Sequence, residues 1–112
     1  MNHLIQEIMA ARATFQKSFN IKVNHDEAQG TFSIKTMEGA LILHYQQGEE
    51  GVWDFDQMTI PAELRNFQLT PRLVEYALET ARKAGQSIRA NCPQVQSYLE
   101  RNEFYKSLLA QA

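Results

Sequence analysis

Cys92 stands immediately before Pro93, a residue at home in the first turn of a helix. A thiol at a helix N-terminus meets a positive partial charge, which favours the thiolate and suits a nucleophile. The competing reading is a small apolar residue filling a strand–helix junction, since free cysteine is among the most buried residue types. No histidine lies downstream of His44, so the sequence shows no local Cys–His pair. Asp54 and Asp56 alternate with Trp53 and Phe55, so on a strand both carboxylates share one face. Read from the chain alone they are ordinary solvent-facing strand residues beside a packing Trp53. Thr70 and Pro71 read as the N-cap and first-turn proline of a second helix. The unpaired N–H groups and partial positive charge of such a helix end are what a phosphate-bearing ligand needs.

The elements that must position these groups follow from the spacing of apolar residues. Period-two segments at 21–23, 31–34, 40–45 and 52–60 predict strands, with turns at Met37-Glu38-Gly39 and around Gly48 and Gly51. They form an antiparallel meander over residues 21–59. After Pro61 the period changes. Leu69, Leu73, Val74, Ala77, Leu78 and Ala81 make a helical stripe, closed by Lys83 and Gly85, which predicts a helix over 70–84. Residues 87–90 are a short strand, and Pro93 opens a helix through Val95, Tyr98 and Leu99. Strand, crossover helix and strand make the last two strands parallel neighbours. The expected class is α/β, an α+β mixed sheet, with a further amphipathic helix at the N-terminus.

That first helix carries Leu4, Ile5, Ile8, Met9, Ala11, Phe15 and Phe19 at three- and four-residue spacing. Its stripe is expected to cover a core or a second subunit, which makes a homodimer one expected assembly. A membrane-surface helix would carry more basic residues. The organisation read from the chain is an amphipathic helix over 1–20 and one domain over 21–112, without repeat or linker.

Composition narrows the function classes. The chain has 112 residues, 44% of them hydrophobic and 21% charged, enough for one core without disulfides or metal. Thirteen acids against 11 bases give a formal charge of −2, so no strong field recruits nucleic acid or an anionic membrane. With one cysteine and only His3, His25 and His44, no zinc-ligand spacing exists, and no metal is expected. No run approaches the roughly 20 apolar residues of a membrane span, and residues 1–10 lack a secretory pattern. A cytoplasmic location is the expectation.

The order of elements, with Phe32, Gly39-Ala40-Leu41 and Tyr45 in the meander, resembles the GNAT superfamily of N-acetyltransferases, and more closely its short YjdJ-like branch. Ile60-Pro61-Ala62-Glu63-Leu64-Arg65, Leu73-Val74-Glu75-Tyr76-Ala77, Cys92-Pro93 and Tyr105-Lys106-Ser107-Leu108 extend the resemblance over about residues 21–110. It implies an acetyl-CoA site where the fourth and fifth strands part. The pantetheine arm would pair with the backbone of Met58, Thr59 and Ile60. The pyrophosphate would sit on the loop Arg65, Asn66, Phe67, Gln68, Leu69 and Thr70. It also implies that Asp54 or Asp56 serves as base for an amine substrate, that Tyr105 protonates the leaving thiolate, and that Cys92 lies near the thioester, as acetyl acceptor or activated nucleophile.

The loop departs from the family pattern. Gln68 and Thr70 stand where the family has glycine and glycine or alanine, and Thr59 stands where the short branch has glutamate. Glycines let the backbone approach a phosphate and take positive φ without strain. The sequence therefore predicts a small GNAT-like protein, an acetyl-CoA-dependent N-acetyltransferase of unknown acceptor with weak or lost cofactor binding. The alternative is a non-enzymatic interaction or oligomerisation module on the same scaffold.

Overall fold

A computed structural model describes residues 22–48, 50–64 and 68–110. The helix predicted over 1–20 and the loop residues Arg65, Asn66 and Phe67 lie outside the described residues. Five strands form one sheet in the order β1-β2-β3-β4-β5: β1 Val23–Asp26, β2 Thr31–Thr36, β3 Gly39–Gln47, β4 Val52–Thr59 and β5 Ser87–Ala90. The first four are antiparallel neighbours, and β5 lies parallel to β4. Helix α1, Leu69–Lys83, crosses between β4 and β5, and α2, Pro93–Arg101, follows β5. The mixed sheet and its parallel last pair are those the sequence predicts.

One face of the sheet is apolar because alternation puts Phe32, Ile34, Leu41, Leu43, Tyr45, Trp53, Phe55 and Ile88 on it, all buried. Both helices pack there. α1 contributes Leu69, Leu73, Val74, Ala77, Leu78 and Ala81, and α2 contributes Val95 and Leu99, to one continuous core. Fully burying a large apolar side chain is worth about 1.5–3 kcal/mol, so this face fixes the register of every strand. The opposite face carries Ser33, Lys35, His44, Gln46, Asp54 and Gln57, and no described helix covers it.

The structure moves three predicted boundaries. β1 begins two residues later than predicted and runs to Asp26, because His25 is a core-side residue: its ring stacks on Phe32 with centroids 4.0 Å apart. The β2–β3 turn has two residues, since Gly39 already pairs with Thr36. Helix α1 starts at Leu69, with Gln68 in the N-cap position and no side-chain cap, so Thr70 is not the cap. Burial of Leu69 draws it into the first turn. Its other end closes as predicted. The Gly85 N–H donates to the Arg82 carbonyl and the Gln86 N–H to that of Ala81, with Gly85 at φ 74°.

Two local departures from regular strand geometry shape the open face. Gly30, at φ +70°, ends the β1–β2 turn; a Cβ there would stand 2.3 Å from the Tyr45 carbonyl oxygen, so no side chain fits. In β4, His44 pairs with Gln57 but Tyr45 pairs with Phe55. Asp56 is therefore an extra residue, a β-bulge of the kind that re-aims side chains beside functional sites.

Candidate functional site where β4 and β5 part

The β4–β5 ladder runs from Val52–Ser87 to Phe55–Ala90 and ends with the Asn91 N–H donating to the Phe55 carbonyl at 2.9 Å. β4 continues through Asp56–Thr59 with no β5 partner, so the strands separate at the bulge. Connectivity brings two helix starts to this end. α1 begins soon after β4 finishes, and α2 begins at Pro93 as β5 finishes. The first N–H groups of α1 have no intrahelical partner. Pro71 lacks one, which leaves those of Gln68, Leu69 and Thr70.

Gln68 takes φ 57° and ψ 32°, the left-handed region, and is the one described non-glycine residue with positive φ. It holds the conformation for which the family pattern carries glycine, at a cost of about 1–2 kcal/mol.

The carboxylates named from the sequence sit on the open face, as alternation predicts. Asp54 is engaged, its Oδ1 accepting from Asn91 Nδ2 at 2.8 Å, directly at the end of the ladder. Asp56 accepts through Oδ2 from Gln46 Nε2 at 3.1 Å, while its Oδ1 is enclosed and has no hydrogen-bond donor among the described residues. Sequence reasoning misses Asn91 and Gln46. The one signal for Asn91 is its place between strand end and helix start; Gln46 becomes relevant only through the bulge.

Cys92 is the N-cap of α2 and is fully buried, its thiol donating to Gln94 Oε1 at 3.1 Å. Its position is the one that the packing reading describes. Tyr105 lies past the far end of α2, a helix of nine residues, or roughly 13 Å at 1.5 Å per residue. Its hydroxyl donates to Glu79 Oε2 at 2.6 Å. Burial, with the Glu79 carboxylate beside it, pushes the Tyr105 hydroxyl far above the usual phenol range. Hydrogen bonds from Arg82 and then Tyr105 hold Glu79 down to about 2. The structure thus brings Asp54, Asp56 and Asn91 to the strand separation and leaves Tyr105 at the other end of α2.

On the open face, the β1–β2 turn and the ends of β3 and β4 enclose a cleft of about 640 Å3, lined among others by Glu27, Gln29, Gln46, Asp56 and Gln57. Behind it, His25 Nε2 lies 2.6 Å from the Tyr45 hydroxyl. Burial lowers the His25 pKa from its ordinary value and raises that of Tyr45.

A family model for GCN5-related N-acetyl-transferase matches residues 18–108, most of the chain. The chain belongs to this family. A solution structure of a GCN5-like protein from Staphylococcus aureus superposes with a TM-score of 0.65 at 19% identity, covering 83% of this chain and 91% of that one. At that identity the likeness shows the fold, a GNAT-like mixed sheet. No curated protein matches the chain. No described helix is long and apolar enough to cross a membrane.

Proposed function

We propose that this GNAT-family protein transfers an acetyl group from acetyl-CoA to an amine. One observation carries the reading: β4 leaves β5 at the Asp56 bulge, and the helix that follows β4 in the chain, α1, starts without a side-chain cap. The strand edge past Phe55 offers backbone groups for the pantetheine arm at Met58, Thr59 and Ile60. The N–H groups of Gln68, Leu69 and Thr70, which have no intrahelical partner, suit the pyrophosphate, and the family pattern adds Arg65, Asn66 and Phe67. When bound, acetyl-CoA supplies a thioester whose carbonyl carbon forms a bond to the amine nitrogen as the carbon–sulfur bond breaks, with the thiolate leaving.

The chain's own contribution is to orient the amine and take its proton. Each carboxylate accepts one amide donor, and Asp56 suits the proton better than Asp54 because it stands at the bulge where β4 leaves β5, while the Asn91 bond ties Asp54 to the paired end of the ladder. Cys92 takes no part, being sealed under the core, and the Tyr105 proton is engaged by Glu79. The strained Gln68 supports CoA binding that is weaker than a glycine loop would give.

Calorimetric titration with CoA and acetyl-CoA, followed by acetylation assays on a panel of amines, tests the proposal. Saturable CoA binding with amine-dependent thiol release is the expected result. Absence of CoA binding together with self-association would instead favour an interaction module.

A further inference from the structure

Helix α1 has a second stripe beside the one it gives to the core. Arg72, Glu75, Tyr76, Glu79 and Lys83 recur at three- and four-residue spacing and, with Val23 of β1, line a groove of about 850 Å3. The groove arises at the sheet edge. α1 packs against β2, β3 and β5, and α2 against β4 and β5, so the described helices cover the edge strand β1 least. Val23, which packs on the core from the same face as Ile34, is only half-buried. The Tyr76 ring meets Phe32 edge-on with centroids 6.3 Å apart, yet keeps 47% of its surface exposed. Thr80, also in the groove, has its hydroxyl turned to its own helix, donating to the Tyr76 carbonyl. Along α1 the charges run from a base through two acids to a base.

The chain itself delivers a segment of matching chemistry to the groove. β1 begins at Val23, so residues 1–20 join the described structure beside a groove residue. The matched family region begins at residue 18, so most of this segment is an addition to the family core. Its Ile5, Ile8, Phe15 and Phe19 stripe is too large an apolar area to leave in water. Arg12 falls in the same row, between Ile8 and Phe15, where burial demands a carboxylate partner. The open face of the sheet, with Ser33, Lys35, His44 and Gln57, offers no apolar bed.

We infer that residues 4–19 form a helix lying in this groove of their own chain, with Arg12 against Glu75 and Glu79. Direction fits. α1 returns from the end of β4 to the start of the parallel β5, so it runs opposite to β4. Three antiparallel pairings separate β4 from β1, so β1 runs along α1. A helix turning into Val23 therefore lies antiparallel to α1. Arg12 then falls level with Glu75 and Glu79, and Glu7 comes towards Lys83. Lengths agree as well, roughly 24 Å for residues 4–19 and roughly 22 Å for the 15 residues of α1.

NMR on the 13C,15N-labelled full chain tests the placement. NOEs are expected from the Ile8 methyls and the Phe15 ring to the Tyr76 ring and the Val23 methyls. In an equimolar mixture with unlabelled chain, isotope-filtered NOEs between the same groups should be absent. Arg12→Glu should raise the unfolding equilibrium constant about fivefold in urea titration, the scale of one exposed ion pair. Adding Glu75→Arg, at an exposed position of α1, should recover most of that loss. NOEs from the segment to another surface of the chain, or none from it at all, overturn the inference. Filtered NOEs between labelled and unlabelled chains give the groove to a second copy, which overturns it too. A double variant no more stable than Arg12→Glu does the same, because the charge pairing sets the register.

Discussion

Helices α1 and α2 start at the same end of the sheet, and neither has a side-chain cap, yet their starts are built for opposite purposes. At α2 the N-cap is Cys92, in extended backbone, fully buried, with its thiol bonded to Gln94. At α1 the N-cap is Gln68, exposed, in a left-handed conformation that side chains rarely adopt. The thiol stands at the sealed start, and the open start offers backbone N–H groups. A helix end binds an anion through N–H groups and dipole, so access decides which end is usable, and side-chain chemistry does not.

The strongest challenge to this contrast is thiol reactivity. Cys92 should label on the order of 100-fold more slowly than the unfolded chain, the factor imposed by a local opening of about 3 kcal/mol. The rate should be the same with and without CoA. Labelling at the rate of a free thiol, or protection by CoA, would place Cys92 in the open site.

Substitution probes the same seal. Cys92→Ser puts a better-solvated hydroxyl in an apolar site and should cost about 1–3 kcal/mol. Cys92→Ala, which removes only volume, should cost less. A melting temperature unchanged by Cys92→Ser would mean that solvent reaches the site.

At the open start, Gln68→Gly removes the strain and the side chain together. CoA affinity should rise by about 1 kcal/mol, roughly fivefold, which calorimetry resolves. Stability should change little, because the relief of about 1–2 kcal/mol is offset by the glycine's greater freedom when unfolded. Unchanged or weaker CoA binding would show that another feature limits affinity.

The smallest effect is expected at Thr70. A capping threonine replaced by alanine typically costs about 1 kcal/mol, but Thr70 lies inside the helix, so Thr70→Ala should stay within about 0.5 kcal/mol. A larger loss in chemical denaturation would restore Thr70 to the cap.

Much of the fold was legible because alternation and helical spacing are local. Phe32, Leu41, Leu43, Trp53 and Phe55 announce one face of a sheet, and Leu69, Leu73, Val74 and Ala77 announce the helix that covers it. His25 misled, since a polar type on an apolar face reads as a strand end. It takes the neighbouring strands to supply Phe32 for stacking and Tyr45 for a hydrogen bond.

The sequence by itself determined the order of elements, the parallel last pair, the family, and the shared face of Asp54 and Asp56. Each follows from a repeat a few residues long or from a pattern carried along one strand. Tertiary structure alone decided which of these groups meet. The bulge that sets Asp56 apart exists only in the register of β3 against β4, and the cleft exists only because Gly30 lets a turn settle on Tyr45. The burial of Cys92 and the pairing of Tyr105 with Glu79, 26 residues away, are likewise properties of packing between elements. Contacts of that kind join residues distant in the chain, and no local spacing encodes them.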